Sequence, residues 1–533
     1  MPKDWSEVPE ADFVIVGAGS AGSVLADRLS ESGAYKVAVI EAGPLDRNPF
    51  IHIPAGFLQL MENPAINWRM KSLPVPSLGG RVINYPQGKV AGGTGSINGM
   101  LYVRSNRPEH DLWTKAGCAG WSYEEALPFY QRAEGSFSNS GDKPPIGVNP
   151  FLENHELSER FIDAAVELGL KRLTTLNGGQ REGAGAFHQN RQGRFRGGPG
   201  QTYLRRARKR ANVVTYMNAL TRRVLFEGES AVGVEFEQDG QTKRITARRE
   251  VIVSNGTLRS PQLLQASGIG PAEYLKSIGI DVIANRPSVG ENLRDHYSSR
   301  ISYRVRGVVT LNERTRGIDL LRELARYAFG GRGLLTLGAS SAAVFARSRP
   351  DLTEPDLQLS FAPGSFQPGT YKLEKEPGMT IAMYPSYPES RGWVKVRPSG
   401  TRDMPDIQPN YLSDEADCRA VLAGLRLMRR IFSASPFAPY APQEVHPGAA
   451  LQTDDELIAY AREKGVSGFH FTGTCRMGGD VSSVVTPELK VRGVDRLRVI
   501  DASIMPSCTS GNSNAPTIMV AEKGASMVLA DAR

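Results

Sequence analysis

A buried-type strand that runs into a glycine-rich turn, a helix and a second strand, all within the first 41 residues, predicts an α/β nucleotide-binding fold of Rossmann-like type. Further observations add a second part, a sheet with helices set against it. Strand-like segments recur at residues 356–361, 380–384 and 392–396, and a helix over 414–432 follows, with Val421, Leu425 and Met428 on its apolar face. Buried-strand patterns also occur at residues 250–254, before these segments, and at 497–500, after them.

Each element follows from local chemistry. Residues 12–16, Asp-Phe-Val-Ile-Val, are the β-branched, apolar run of a strand covered on both faces. Gly17-Ala-Gly19-Ser20-Ala21-Gly22 comes next, then a helix on which Ala21, Leu25 and Leu29 share one face, then a strand over 36–41. Gly17 permits the tight turn, Gly19 lets backbone N–H groups approach a pyrophosphate, and Gly22 lets helix and strand pack closely. Glu41, followed by Ala42, stands where an acid binds the ribose hydroxyls of an adenosine, and its charge argues against a 2′-phosphate. After Gly43 no regular series of βα units follows. Instead, residues 87–104 hold Gly92, Gly93, Gly95, Asn98 and Gly99, a small-residue stretch able to lie flat against a ligand.

Residues 140–211 read as loop-rich and polar, ending in a basic cluster over 203–210 that is expected to form a solvated helix face. The alternating runs at 232–237 and 243–247 suggest a small antiparallel insertion before the buried strand at 250–254.

Composition narrows the function classes. The 533 residues carry 40% hydrophobic and 23% charged side chains, with 56 glycines and 35 prolines, the balance of a folded chain. The net charge of +8 is spread along the sequence, and the basic cluster has few aromatics beside it, so nucleic acid is not an expected partner. Four cysteines without a CxxC pair indicate neither a disulfide framework nor a structural metal. No run of about 18 apolar residues marks a transmembrane segment, and the opening residues lack the basic-then-apolar layout of an export leader. A cytoplasmic protein is expected.

The last 70 residues carry the other chemical signal. His470, one of seven histidines, lies in Phe469-His470-Phe-Thr-Gly-Thr-Cys-Arg-Met-Gly478. The strand at 497–500 leads into Asp501-Ala502, and then comes Gly511-Asn512-Ser-Asn514-Ala-Pro516-Thr517. Pro516 suits the first turn of a helix, whose N-terminus would face a developing anion.

Taken together, these segments resemble the glucose-methanol-choline (GMC) oxidoreductase family, its choline-dehydrogenase-like branch in particular. The matching elements are residues 17–22 with Glu41-Ala-Gly, residues 88–104, residues 255–271, residues 289–296 ending Asn292-Leu-Arg-Asp-His296, the His470 segment, and Asn512 to Pro516. The resemblance implies the GMC fold, with a discontinuous Rossmann-like FAD-binding domain over 1–140, 212–300 and 466–533, and an α+β substrate domain with an antiparallel sheet over 141–211 and 301–465. It implies that Gly17, Gly19, Ser20, Ala21, Gly22, Glu41 and Ala42 hold the ADP half of FAD. Gly92, Gly93, Asn98 and Gly99 would run beside the flavin ring. Asp501 and Ala502 would meet the pyrophosphate and ribityl chain, with Asn514 and Thr517 as further cofactor contacts. Members that attach FAD covalently have a histidine before the asparagine matched by Asn98; Ile97 stands there, so dissociable FAD is expected.

The expected chemistry is oxidation of a small alcohol to an aldehyde or ketone by hydride transfer to flavin N5. His470 would act as base and Asn512 as donor to the alkoxide oxygen, with Asn514 the rival for that role. Oxygen or a quinone-type carrier would accept the electrons. A same-fold lyase or fatty-acid photodecarboxylase is the alternative. Phe469 would put an aromatic surface in the pocket, whereas a buried carboxylate for a quaternary ammonium cannot be placed from sequence.

Overall fold

The computed structural model describes residues 6–7, 10–134, 145–179 and 181–532. Part of the opening decapeptide and the expected domain boundary at residue 140 therefore lie outside the described residues.

Two sheets organise the chain. In the first, Val213–Tyr216, Val37–Ile40, Ala11–Val16, Gln241–Val253, Ser230–Gln238 and Ala219–Glu227 lie side by side. Gln241–Val253 is its hub. Its first half pairs antiparallel with Ser230–Gln238, and its second half pairs parallel with Ala11–Val16 and with Leu497–Val499. The expected strands at 243–247 and 250–254 are thus one 13-residue strand, since a register shift between Ala247 and Glu250 lets it leave one pairing for the other without ending. Helices Ser20–Ser30 and Asn514–Asp531 pack on this sheet, and Phe13, Ile15, Leu25, Val39, Val251 and Met519 are among its fully buried core residues.

The second sheet is antiparallel, in the order Gln443–His446, Tyr297–Arg304, Gly378–Pro385, Leu357–Ala362, Ala342–Ala346 and Gly183–Ala186. Helix Glu415–Phe432 backs it, started by Asp414, whose side chain accepts from Ala416 N at 2.8 Å. Val421, Leu425 and Met428, spaced 4 and 3 apart on one helix face, enter a second core with Leu359, Ile381 and Met383.

Three other expectations change. The strand expected at 392–396 is Trp393–Lys395, which pairs with Asp406–Gln408 in a two-stranded ribbon outside the large sheet. The described part of the stretch expected to be loop-rich, residues 145–179 and 181–211, is more ordered than its polarity suggests: it contains helix Glu156–Glu167 and the edge strand Gly183–Ala186, and His188–Gln192 pairs with Leu101–Tyr102. The basic cluster forms a π-helical turn, Gly200–Leu204, and a short helix, Arg205–Ala207. Arg206 and Arg210 do not simply face solvent, because both bind the buried carboxylate of Asp27. Among the described residues no helix is long and apolar enough to cross a membrane.

Candidate active site

The strand ends and glycine turns of the first sheet meet the second sheet around one elongated cavity. Gly17, Gly19, Ser20, Ala21, Glu41, Ala42, Gly93, Asn98, Gly99, His470, Asp501, Ala502, Asn512, Asn514 and Thr517 all line it. Gly22 and Gly92 do not. Gly22 acts one layer behind, where a Cβ would fall 1.9 Å from the Gly17 carbonyl, so its absence lets helix Ser20–Ser30 seat on the strand. Gly92, expected beside the flavin ring, instead donates its N–H to Ala18 O at 2.7 Å and packs against Gly200, so it supports the wall rather than forming it.

At the dinucleotide end the cavity is a backbone cradle. Gly17 has φ +97°, and a Cβ there would meet Ser254 O at 2.5 Å. Glu41 is buried, and its carboxylate accepts from Ala18 N and Gly43 N, both at 2.8 Å, locking the turn while still lining the cavity. The Asp501 carboxylate is occupied by Gly256 N, Ser260 Oγ, Ser503 N and Ser503 Oγ at 2.5–2.8 Å, so its side chain orders the turn into Ala502. The C-terminal helix begins at Asn514, which puts Pro516 in its first turn as expected; that turn holds no acid, and the N-cap residue Ser513 makes no capping side-chain bond. Ser513, Asn514 and Thr517 therefore present the positive end of its dipole to the cavity. Asn255 Oδ1 and Asn514 Nδ2 are buried without protein partners on this wall, as polar atoms reserved for a ligand would be. These features fit FAD.

The reactive end is ordered by a directional chain of hydrogen bonds. The Ser386 carbonyl can only accept, so His296 Nε2, 3.0 Å away, carries the proton between them. Burial pushes the His296 imidazole down to about 4, so the ring is neutral and its Nδ1 is a bare acceptor. His470 Nδ1 lies 2.9 Å from that atom and must donate, which leaves His470 Nε2 unprotonated. The Asn512 amide donates to this nitrogen at 3.0 Å, and Asn512 Oδ1 accepts from Gln358 Nε2 at 3.4 Å. Burial, then the neighbouring His296, hold the His470 imidazole well below its ordinary range, so it too is neutral. Asp295 Oδ1 fixes the backbone by accepting from His470 N at 2.7 Å. His296 stacks on Tyr384 with ring centroids 4.1 Å apart.

This geometry separates the two asparagines. Asn512 pairs with His470, whereas Asn514 Oδ1 accepts from Ser20 Oγ at 2.8 Å, at the nucleotide end. His296 and Gln358 were not singled out from sequence. A signal existed for both: His296 closes the 289–296 motif, and Gln358 and Ser360 alternate with Leu357, Leu359 and Phe361, placing two polar side chains on the face of the strand turned to the site.

Known proteins agree with the fold. Models of the N-terminal and C-terminal parts of GMC oxidoreductases match residues 11–298 and 388–521. The oxygen-dependent choline dehydrogenase of Brucella ovis is 39% identical over 526 residues, covering 98% of this chain and 96% of its own. That of Photobacterium profundum is 38% identical over 97% of this chain and 93% of its own. Among solved structures, pyridoxine 4-oxidase from Mesorbium loti superposes with a TM-score of 0.87 at 27% identity, covering 97% of this chain and 99% of that one. A fungal aryl-alcohol oxidase gives 0.85 at 25%, covering 98% and 99%. The chain belongs to the GMC oxidoreductase family. It is an FAD-dependent enzyme of the alcohol-oxidising class.

Proposed function

We propose that the enzyme oxidises an uncharged alcohol, with His470 Nε2 as the base, Asn512 as the donor that holds the alcohol oxygen, and non-covalent FAD. When bound, FAD supplies the hydride acceptor at N5 of its ring. The observation that carries the reading is the bare, neutral Nε2 of His470 at the cavity wall, 3.0 Å from an amide donor. An alcohol that takes the place of this hydrogen bond would give its hydroxyl proton to the imidazole, and the released amide N–H would stabilise the alkoxide oxygen as negative charge develops. Nε2 can take that proton because Nδ1 already holds one directed at His296.

The other site residues named from sequence serve the cofactor in this reading. Gly17, Gly19, Ser20, Ala21, Glu41 and Ala42 hold the ADP half, Gly93, Asn98 and Gly99 flank the ring, and Ala502, Asn514 and Thr517 complete the wall. Around His470 the cavity is lined by the rings of Tyr371, Tyr384 and Phe469 and the hydroxyls of Ser298, Ser340 and Ser360. Among the described lining residues the only carboxylates are Glu41 and Asp501, both held by backbone and serine donors. A quaternary ammonium would find rings but no counter-charge, which favours a neutral apolar or aromatic alcohol. Choline is the second reading, supported by the relatives named choline dehydrogenase. Oxygen or a quinone-type carrier takes the electrons onward, and a cytoplasmic location belongs to the same reading.

Anaerobic mixing of the FAD-loaded enzyme with benzyl alcohol, aliphatic alcohols and choline tests the proposal. Bleaching of the flavin absorbance by the neutral alcohols is the expected result. An unbleached flavin throughout the panel would refute it, and bleaching by choline alone would move choline ahead.

A further inference from the structure

Helix Gly317–Gly330 is packed with its polar side inward. Glu323 and Tyr327, four residues apart, are 5% and 8% exposed. The Glu323 carboxylate accepts from Arg314, Arg326 and Leu334 N, and the Tyr327 hydroxyl donates to Arg194 O. The apolar side faces out: Ile318 and Leu321 are each 64% exposed, Leu324 45% and Phe329 93%. Exposed alanines at 325 and 328 complete the stripe. Phe195, 45% exposed, adjoins it through Arg194, which stacks on Phe195 and donates to the carbonyls of Tyr327 and Ala328. A soluble helix ordinarily presents the opposite faces, and a contiguous apolar patch of this kind marks an interaction surface.

We infer that this face docks on an anionic lipid surface, lying in the interface with Ile318, Leu321, Leu324 and Phe329 below the headgroups. Charge selects lipid over a second copy of the chain. Arg316, Arg322, Arg326 and Arg332 are all exposed on or beside the helix. Arg322 is paired with Asp319, and Arg326 with Glu323 and Glu153, so the charge left over is that of Arg316 and Arg332, one at each end of the helix. Those arginines would repel their counterparts on a second copy, whereas anionic headgroups attract them. Apolar residues flanked by arginines form the pattern of a helix that lies in a membrane surface.

The consequence is positional. The helix lies between the two segments matched by the family models, and the loop after it reaches the cavity wall at Ala339 and Ser340 within ten residues. Docking would hold that wall close to the membrane, where lipophilic alcohols or a lipid-soluble acceptor are concentrated.

The test sediments the FAD-loaded full chain with phosphatidylglycerol vesicles and with pure phosphatidylcholine vesicles. The wild type should pellet with the former at least tenfold more strongly than with the latter. Leu321→Glu combined with Phe329→Glu should reduce pelleting at least tenfold and leave turnover with a water-soluble dye unchanged. As a second probe, Phe329→Trp should shift its added emission to the blue when phosphatidylglycerol vesicles are supplied. A wild type that stays in the supernatant, a double variant that pellets like wild type, or equal binding to both vesicle types would each overturn the inference. So would a wild-type dimer that the double variant splits into monomers, which would assign the face to a second copy.

Discussion

His470 is bound to be neutral because its Nδ1 proton is committed to His296 and its burial is complete, so proton uptake at Nε2 is the one acid–base event open to it. Removing the ring in His470→Ala should slow flavin reduction by alcohol about 10²- to 10⁴-fold with FAD retained, measured by anaerobic stopped flow. The pH dependence follows from the lowered imidazole: wild-type reduction should be flat through neutral pH and decline only in acid, below the ordinary histidine range. His470→Ala should instead speed up with rising pH as hydroxide replaces the base. Asn512→Ala should lose less than His470→Ala and keep the wild-type profile, since an amide does not titrate.

His296 acts through His470. Without its acceptor, the His470 proton is free to occupy either nitrogen, and the Nε2 tautomer cannot accept the alcohol's proton. His296→Ala should therefore lower the reduction rate about 10²-fold or more with little change in apparent alcohol affinity. His296→Gln, whose amide oxygen can accept from Nδ1, should recover part of the loss. Equal defects in the two variants would mean that the ring only fills space.

At the scale of elements, the site depends on how closely backbone segments approach. The turn at Gly93, φ +54°, lies against the start of helix Ser20–Ser30, where a Cβ would come 2.7 Å from Gly19 Cα. Gly93→Ala should push the two walls apart and lower FAD occupancy, read as the ratio of flavin to protein absorbance after purification. Glu41→Ala should do the same for a different reason: it removes the proposed ribose acceptor and also frees the Ala18 and Gly43 N–H groups that its carboxylate ties together. Molecules of that variant that still carry FAD should turn over nearly normally, because Glu41 belongs to the nucleotide end of the cavity. A variant with full occupancy would show that Glu41 has another role.

At the scale of the whole molecule, the cavity is lined by residues from Gly17 to Thr517 and lies between two apolar cores. A ligand that bridges such distant segments stabilises the folded state by mass action, about 2.7 kcal/mol at 100 times its Kd. Added FAD should therefore raise the Tm of the stripped protein by several degrees. Ile97, buried against the cavity in front of Asn98, offers no nucleophile to the cofactor. Acid precipitation should release yellow flavin into the supernatant; flavin retained in the pellet would contradict dissociable binding.

What the sequence determined by itself is what local chemistry encodes. The turn at Gly17 to Gly22, the strand at 12–16 and the helix over 414–432 were legible, because glycine spacing, β-branched runs and helical periodicity act over a few residues, whereas the pairing of His470 with an asparagine near position 512 was legible only through the resemblance to the GMC family. The tertiary structure decided the matters that depend on neighbours hundreds of positions away. It moved Gly92 behind the wall by packing it on Gly200, merged two expected strands into one because that strand serves two partners, and took Trp393–Lys395 out of the large sheet. It also chose Asn512 over Asn514 for His470 and supplied His296 and Gln358 to order the proton chain. No local pattern carries that information, since a hydrogen bond between residues 296 and 470 exists only once two sheets have been laid against each other.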